Sequence, residues 1–415
     1  MSEKFQAPRG TFDVLPEQAA AREVLENACR RILGGAGFQR IETPVFEATE
    51  LFARGVGEAT DIVQKEMYTF EDGGGRSLTL RPEGTAPVCR AYLEHGMHKL
   101  PQPVRLWYLG PFFRYERAQA GRYRQFWQVG AEAIGSDDPA VDAECIVLLA
   151  TLLEDVGVRD VRLRVGSLGT PAARAAYREK LQAHLHAHAD EVSEDVRARI
   201  DLNPLRAFDS DHPGTKQVMQ TAPRLLDHLT PDDVAHFEEV RGLLDAVGIA
   251  YEVDATLVRG IDYYTRTVFE FTSDALGAQS GVGGGGRYDG LMEQLGGPST
   301  PGMGWAAGVE RILLATTEPA ATEPPIDLFV VWEDGRRADA LRLVTETRSA
   351  GRSAEMDLGG RSLKGQHKQA DRRRPRYVAS LVDGGWELRD RDAGETQTAS
   401  DADEMVAMVL RGGRL

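Results

Sequence analysis

The fold of this chain is decided by the stretch Leu106-Trp-Tyr-Leu-Gly-Pro-Phe-Phe-Arg114-Tyr-Glu116 and by the residues immediately after it. A polar segment around Gln119-Ala-Gly121 comes next, and Tyr123 to Ile134 is a second run rich in aromatic and β-branched residues. Two such runs separated by a short polar segment are typical of a β-hairpin. The sequence therefore predicts a long antiparallel hairpin in the middle of the chain.

Alternate residues of the second predicted strand form one polar face, because side chains two positions apart point the same way. This face consists of Arg124, Phe126, Gln128, Gly130 and Glu132. The missing side chain of Gly130 predicts a slot roughly 13 Å long, at about 3.3 Å per residue, for a small ligand. The alternative is an edge hairpin with a solvated polar face. Arg114 and Glu116 on the partner strand favour the ligand, because charges inside a hydrophobic sheet normally have partners or ligands.

Length, composition and charge bound the class of protein. A chain of 415 residues is too long to fold around a single hydrophobic core of ordinary size, so two or three domains are expected. We expect no membrane partner and a cytoplasmic location, since the sequence has neither a long apolar run nor a recognisable targeting segment. The net charge of -15 disfavours nucleic acid, but the basic stretch Arg361 to Arg376 allows a local basic face. Cys29, Cys89 and Cys145 are too far apart for a zinc knuckle and predict buried thiols.

Changes in pattern along the chain predict its organisation. Residues 170–253 are helical and charged, and we interpret them as an insertion between 1–169 and 254–318. A Pro-rich linker, 319–325, precedes a C-terminal domain at 326–415. In that domain predicted strands and helices alternate, at 326–332, 338–350, 364–370 and 377–382, which indicates a mostly parallel α/β unit.

Helix signals mark both ends of the chain. Pro16 suits a first helical position, and Gly34-Gly35 ends the helix that begins there. Its predicted buried face is Ala21, Val24, Leu25, Ala28 and Ile32. Near the C-terminus, Ser400 with Asp403 predicts the cap of a last helix.

Three further groups are candidates for ligand chemistry. Arg259 can hold a phosphate bidentately, although an ion pair with Asp262 is the simpler interpretation. Glycines at 281–286 and 302–308 fit neither a Rossmann unit nor a P-loop, and instead predict backbone that a flat ring approaches closely, with Arg311 nearby. His184, His186 and His188 allow a metal site, but without a further ligand they are interpreted as a surface helix.

Several motifs together resemble the histidyl-tRNA synthetase family of class II aminoacyl-tRNA synthetases. The block from Arg114-Tyr-Glu116-Arg117 to Gln128-Val-Gly-Ala-Glu132 is similar to motif 2. Glu42-Thr-Pro44-Val-Phe-Glu resembles motif 1, and Gly302-Met-Gly-Trp-Ala-Ala-Gly-Val-Glu-Arg311 resembles motif 3. The more specific histidine motifs are matched by Leu257-Val-Arg259-Gly-Ile-Asp-Tyr-Tyr264 and Gly285-Gly-Arg-Tyr288-Asp-Gly. Trp127, where histidine is common, and the run Gly283-Gly284 depart from the family pattern.

The resemblance implies ATP, carried with Mg²⁺, as a substrate, and L-histidine as the amino acid. Arg259 and Arg114 would be catalytic and flank the α-phosphate, while Glu116 and Arg311 would bind the adenine side and the γ-phosphate. Mg²⁺ would bridge phosphates without dedicated protein ligands. The resemblance also implies six histidine-binding residues. They are Glu83, Thr85 and Gln128 for the ammonium group, Glu132 and Tyr264 for the imidazole, and Tyr288 closing the pocket.

The resemblance further implies tRNA(His) and a second copy of the chain as partners. Arg117 and Gln119 would approach the acceptor end of the tRNA, and motif 1 would form much of a homodimer interface. Residues 326–415 would be an anticodon-binding α/β domain in which Arg361, Lys364 and Lys368 contact phosphates from one helix face. A solvated basic helix is the alternative for these three residues.

The expected fold class is an α+β class II synthetase catalytic domain, an antiparallel sheet flanked by helices, with a helical insertion and the C-terminal domain. The expected activity is formation of histidyl-adenylate and transfer of the histidyl group to tRNA. Two rivals share the fold: a non-catalytic regulatory subunit of ATP phosphoribosyltransferase and a tRNA-binding sensor. Arg259 and the extra domain at 326–415 argue against the regulatory subunit. Arg114, Arg259 and Arg311 together argue against the sensor.

Overall fold

The computed structural model describes residues 4–57, 60–257, 261–277, 280–316, 326–382 and 385–411. The chain divides into two compact units, Met1–Ala321 and Thr322–Leu415. The predicted linker, 319–325, lies outside the described residues. Among the helices that are described, none combines the length and the apolar character needed to cross a membrane.

The first unit contains the following strands and helices. The strands are β1 (Gln39–Arg40), β2 (Phe46–Ala48), β3 (Tyr68–Glu71), β4 (Ser77–Leu80), β5 (Val104–Phe113), β6 (Gln125–Ile134), β7 (Val161–Ser167), β8 (Glu252–Val253), β9 (Thr265–Ser273), β10 (Gly281–Arg287) and β11 (Gly302–Gly308). The α-helices are α1 (Pro16–Gly35), α2 (Thr49–Val56), α3 (Thr85–Glu94), α4 (Pro139–Asp155), α5 (Pro171–Ala187), α6 (Glu194–Arg199), α7 (Pro213–Gln220), α8 (Pro231–Ala246), α9 (Leu291–Gln294) and α10 (Val309–Ala315).

A large sheet organises the first unit. In the described part of the chain its strand order is β1-β5-β6-β11-β10-β9-β7-β8. The six inner strands are antiparallel, and the short strands β1 and β8 pair in parallel at the two edges. Pairing of β5 with β6 runs from Val104 opposite Ile134 to Phe113 opposite Gln125. The predicted antiparallel sheet and its long central hairpin are confirmed.

Each face of this sheet packs against a different layer. Val129, Ala131 and Ala133 of β6 belong to a core shared with α1, α4 and α8. The opposite face carries Leu106, Tyr108 and Phe112 of β5, which belong to a cluster with aromatic residues that directly precede β9 and follow β10. Full burial of each large side chain contributes about 1.5–3 kcal/mol, so both layers fix the sheet. The polar face predicted for β6 lies on this second side.

The first helix begins at Pro16 and ends at Gly35, as the sequence predicts, but its buried face is rotated. Val24 is 48% exposed, and the buried residues are Leu25, Ala28, Cys29 and Leu33. The prediction of Val24 as a core residue was wrong, because the face of the helix that contains Cys29 packs against the core and Val24 lies at its solvent-exposed edge. All three cysteines are buried and free, as expected.

Residues 171–246 are mainly helical, in agreement with the sequence pattern. Pro171, Pro213 and Pro231 each open a helix, where the missing N–H costs nothing. Helix α8 packs against α4 and the large sheet, and β8 returns the chain to the edge of that sheet. The boundaries proposed for an insertion at 170–253 stay a prediction.

The second unit is a mixed α/β domain. Its elements are β12 (Leu328–Trp332), α11 (Arg337–Ser349), β13 (Ala354–Met356), α12 (Leu363–Arg373), β14 (Tyr377–Val382), β15 (Gly385–Asp390), β16 (Thr396–Ala399) and α13 (Ala402–Arg411). The strand order is β13-β12-β14-β15-β16, and only the two pairings that involve β12 are parallel within the described strands. The prediction of a mostly parallel sheet was therefore wrong. Asp383-Gly384, a hairpin signature between β14 and β15, is the sequence signal for the antiparallel half.

The cap of the last helix differs by one position from the prediction. Asp401 Oδ1 accepts a hydrogen bond from Glu404 N at 2.9 Å, and Glu404 Oε2 accepts one from Ser400 N at 2.7 Å. Asp401 therefore fills the role predicted for Ser400, and Glu404 the role predicted for Asp403. The reason is that Asp401 directly precedes the first helical residue, Ala402.

Candidate active site

A deep cleft opens on the second face of the large sheet, over the middle of β6. Strands β6, β9, β10 and β11, the start of α3 and the first turn of α10 all contribute to its wall. Seven residues predicted from the sequence line it together. They are Glu83, Thr85, Arg114, Glu116, Gln128, Tyr264 and Arg311.

Glu83 is held at the beginning of α3. Its carboxylate accepts hydrogen bonds from Thr85 N at 2.8 Å and Ala86 N at 2.9 Å, and the hydroxyl of Tyr263 lies 3.4 Å away. An anion at the N-terminus of a helix satisfies amides that lack partners. The side chain is 4% exposed, and burial raises the pKa of its carboxyl group. A fixed, poorly solvated acceptor results at the edge of the cleft.

Gln128 presents an unsatisfied acceptor on the same face of β6. Its Oε1 atom is buried and accepts no hydrogen bond from any described residue. A buried acceptor without a donor costs about 1–3 kcal/mol. The side chain therefore favours a ligand that brings an N–H or O–H group into the cleft.

Glu132 lies beneath the cleft rather than in its lining. The fully buried carboxylate accepts hydrogen bonds from Tyr288 OH at 2.7 Å and Thr85 Oγ1 at 2.8 Å, with Tyr108 OH at 3.4 Å. Burial is the main cause that raises the pKa of Glu132 to about 8, and the three hydroxyl groups partly oppose it. Tyr288 is also buried and reaches the cleft only through this network.

Stability should decrease as the pH rises toward the elevated pKa of Glu132. A carboxyl group whose folded pKa lies above its unfolded value stabilises the fold most below the unfolded pKa, near 4.5, and that contribution is lost as the pH rises through about 8. We expect Glu132→Gln, which cannot ionise, to flatten the decline of melting temperature between these pH values. Thermal unfolding of both proteins at matched protein concentration measures the difference. Parallel pH profiles would contradict the assignment of the decline to Glu132.

The slot predicted at Gly130 is already filled. A Cβ atom placed at Gly130 would lie 2.3 Å from Cζ of Tyr108, and one at Gly84 would lie 2.4 Å from the same atom. The ring of Tyr108, which pairs with Gly130 across the hairpin, therefore occupies the space between the two glycines. The prediction that Gly130 opens a ligand slot was wrong, and Tyr108 instead helps to line the cleft.

The positive end of the cleft is supplied by arginines. Arg114 Nε donates to the carbonyl oxygen of Pro82 at 2.8 Å, and its guanidinium lies 5.5 Å from the ring centre of Phe126. Arg114 Nη1 also lies 3.8 Å from Glu116 Oε1, while Arg122 approaches Oε2 of the same carboxylate at 3.5 Å. These contacts orient Arg114 without neutralising it through a tight ion pair. Arg311 comes from the first turn of α10.

Sequence reasoning missed several lining residues. Tyr108, Arg122, Tyr123, Tyr263 and Glu270 all contribute to the wall. Tyr108 was open to detection, because it shares a face of β5 with Leu106 and Phe112 and faces Gly130 across the predicted hairpin. Glu270, paired with Arg164 of β7, depends on a strand neighbour distant in sequence.

Most of the remaining predicted residues do not line the cleft. Arg259 lies outside the described residues. Arg117 and Gln119 are exposed on the segment between β5 and β6 and do not line the cleft. His184, His186 and His188 each contact a different partner: Val218 O at 3.0 Å, Asp201 Oδ1 at 2.8 Å and Glu191 Oε1 at 2.8 Å.

In the second unit, the basic residues predicted to share a helix face do not form one set. Lys364 and Lys368 are exposed on α12, one turn apart. Arg361 precedes the helix, and its guanidinium is ion-paired with the buried carboxylate of Asp357. Asp357 also accepts the backbone N–H of Arg361 at 3.0 Å. The prediction that Arg361 lies on the helix face was therefore wrong. Arg361 belongs to the loop before α12, where Asp357 binds both its backbone and its side chain.

Comparison with known proteins decides the family. The sequence model described as histidyl-tRNA synthetase matches residues 10–312. The chain belongs to the histidyl-tRNA synthetase family. Its large antiparallel sheet with flanking helices is the class II synthetase fold predicted from the sequence.

Similar proteins span nearly the whole chain. A histidine–tRNA ligase of Desulforamulus reducens is 47% identical over 402 residues, covering 95% of this chain and 96% of that protein. One from Rubrobacter xylanophilus is 46% identical and covers 98% and 100%. The apo crystal structure of Staphylococcus aureus histidyl-tRNA synthetase superposes with a TM-score of 0.82 at 37% identity, covering 98% of this chain and all of that one. The similarity therefore includes the second unit.

Proposed function

We propose that this synthetase activates L-histidine with ATP, releasing pyrophosphate, and transfers the histidyl group to the 3′ end of tRNA(His). The observation that carries the proposal is the joint lining of one cleft by two arginines, Arg114 and Arg311, and by the acceptors Glu83 and Gln128. Cations suit a triphosphate, and buried acceptors suit an ammonium group. A cleft with both kinds of group can bring the two substrates together.

The first step is an in-line attack of the histidine carboxylate on the α-phosphate of ATP. Such a reaction depends on positioning and on stabilising charge that spreads over the phosphate oxygens. We assign this task to Arg114 and Arg259, with Arg311 at the γ-phosphate and Glu116 on the adenine side. Mg²⁺ would neutralise phosphate charge, and the described residues contain no cluster of three or more metal-ligating side chains. An ion held mostly by phosphates and water fits that environment.

Selection of histidine would rest on satisfying buried polar groups. Glu83, Thr85 and Gln128 would accept the ammonium group, and Glu132 and Tyr264 would serve the imidazole. Tyr288 would act by holding Glu132 through its 2.7 Å hydrogen bond. A side chain that leaves such groups unpaired loses binding energy for each one, which gives strong discrimination.

The tRNA and the second copy of the chain would bind outside the cleft. Arg117 and Gln119 would meet the acceptor end, while residues 326–415 would bind the anticodon, with Lys364 and Lys368 as phosphate contacts. A homodimer through motif 1 is supported by an apolar surface on the small sheet β2-β4-β3. There Phe46 is 46% and Phe70 42% exposed, with ring centres 6.2 Å apart. We propose a cytoplasmic location and the domain limits 1–169, 170–253, 254–318 and 326–415.

Histidine-dependent exchange of labelled pyrophosphate into ATP, with Mg²⁺ and without tRNA, tests the activation step. We expect exchange with histidine, none with other amino acids, and a decrease of about 10²–10³-fold in Arg259→Ala, as for loss of one charge-stabilising donor. Binding of histidine without any exchange in the wild-type protein would overturn the proposal. That result would favour the non-catalytic regulatory subunit.

A further inference from the structure

An arginine of the helical segment reaches the backbone of the histidine pocket. Arg174 lies in the first turn of α5, and its Nη1 atom donates a hydrogen bond of 2.6 Å to the carbonyl oxygen of Tyr264. Tyr264 lines the cleft, and its ring packs against that of Tyr263 with centres 4.9 Å apart. Hydrogen bonds from charged donors are about twice as strong as neutral ones. The contact therefore fixes a pocket residue from a helix that does not itself line the cleft.

The surroundings of Arg174 are poorly solvated. Burial lowers the pKa of its guanidinium, although the carboxylate of Asp262 favours the charged form. A charged group in such a place is retained only if its donors are used. The carbonyl of Tyr264 supplies an acceptor for one of them. The geometry therefore couples the position of α5 to the peptide that follows Tyr264.

The chain that follows Tyr264 is anchored to the same part of the molecule. Arg266 has a left-handed backbone with φ of 46°, which is unfavourable for a residue with a side chain. Its N–H donates to Gly169 O at 2.9 Å, and its carbonyl accepts from Leu168 N at 2.7 Å. Its side chain donates to the buried carboxylate of Asp233 at 3.1 Å.

Asp233 connects this anchor to two helices. The carboxylate accepts hydrogen bonds from Thr170 N at 3.1 Å and from Thr170 Oγ1 at 3.2 Å, just before α5. Asp233 itself lies in the first turn of α8. The segment from Tyr264 to Arg266 is thus held at two points by the beginning of the helical segment, and β9 starts between them.

We propose that Arg174 is a positioning residue for amino-acid recognition, which holds Tyr264 against bound histidine and makes the pocket depend on the placement of α5. The proposal rests on the proposed function, because it assigns to Tyr264 a contact with the substrate. Arg174 does not touch the substrate itself. Its loss should therefore weaken histidine recognition while the ATP side of the cleft, built from Arg114 and Arg311, is preserved.

Arg174→Met tests this, because methionine keeps apolar bulk but has no donor. We expect the KM for histidine in pyrophosphate exchange to rise about tenfold, the effect of one charge-assisted hydrogen bond, with the KM for ATP changed less than about twofold. Arg174→Lys, which can still donate to the carbonyl, should restore most of the affinity. If Arg174→Met does not fold, Arg174→Gln, a shorter and neutral donor, undergoes the same measurement with the same expected split.

Arg178→Met is the matched control. Arg178 lies one turn further along α5 and also donates to carbonyl oxygens, but those belong to Asp201 and Leu202 within the helical segment. We expect an unchanged KM for histidine in this variant, whatever its melting temperature. Equal rises of both KM values in Arg174→Met, or the same histidine effect in Arg178→Met, would overturn the proposal. Absence of exchange in the wild-type protein would instead overturn the proposed function.

Discussion

Arg114→Ala is expected to decrease histidine-dependent pyrophosphate exchange about 10²–10³-fold, the usual cost of removing one preorganised donor from a developing charge. The effect should appear mainly in kcat, because the interaction strengthens as charge spreads in the transition state. Structural damage should be small. Arg114 gives up one hydrogen bond to Pro82 O and a 3.8 Å approach to Glu116, at the edge of the cleft rather than in a core. Steady-state exchange and thermal unfolding of the same samples measure both quantities.

Arg162→Ala provides the comparison for Arg114. Arg162 lies on β7 of the large sheet, and its side chain is 68% exposed and paired with Asp274 at the surface. Loss of an exposed pair of this kind costs at most about 1 kcal/mol of stability. We expect normal exchange in this variant. If Arg114→Ala decreased the rate of pyrophosphate exchange by less than about tenfold, Arg114 would not stabilise the transition state. Its role would then be ground-state binding of ATP.

The cleft could be predicted where local pattern decides it. The hairpin of β5 and β6 follows from alternation along two neighbouring segments, so Gln128 and Glu132 were assigned correctly to one face. The occupant of the space at Gly130 could not be derived from that pattern. It depends on Gly84, which comes from the start of α3 and leaves room for the ring of Tyr108.

Other features arise only when distant segments meet. The unfavourable backbone of Arg266 is tolerated because Gly169 and Asp233 bind it, and neither lies nearby in sequence. The same holds for the buried pair of Asp142 on α4 and Arg287 on β10, 145 residues apart. In the second unit, by contrast, the missed antiparallel half had a local signal in Asp383-Gly384.

Asp142→Ala is expected to lower the free energy of unfolding by about 3–5 kcal/mol, the cost of leaving a buried charge without its partner. Both side chains of the Asp142–Arg287 pair are fully buried. Arg287 keeps hydrogen bonds to Ser136 O at 3.0 Å and Asp289 Oδ1 at 3.1 Å, but loses three hydrogen bonds to the carboxylate of Asp142. Denaturant unfolding at fixed protein concentration measures the change.

Two further variants separate charge from packing. Glu50→Ala, which removes an exposed partner of Arg54 on α2, should change stability by less than about 1 kcal/mol. The double variant Asp142→Leu with Arg287→Met removes both buried charges and should recover most of the loss. A double variant as unstable as Asp142→Ala would show that volume and shape, rather than the unpaired charge, determine the loss.

Because His236 lies beside the Asp142–Arg287 pair, we expect the destabilisation caused by Arg287→Met and that caused by Asp142→Ala to change with pH in opposite directions. Nε2 of His236 lies 3.5 Å from Asp142 Oδ2. Burial lowers the pKa of the imidazole; the carboxylate of Asp142 opposes this shift, and the positive charge of Arg287 adds to it. Arg287→Met removes that positive charge and raises the pKa of His236. A raised histidine pKa adds stability at low pH, so the destabilisation relative to wild type should be smaller at about pH 6 than at about pH 8.

Asp142→Ala should show the opposite trend. Removing the attraction of Asp142 lowers the pKa of His236 further, so the imidazole cannot replace the lost partner by taking up a proton. The destabilisation relative to wild type should then be larger at about pH 6 than at about pH 8. If the two variants instead share one pH trend, another group responds to pH, and Asp289, which contacts Arg287 and has a carboxyl pKa raised by burial, is the next to test.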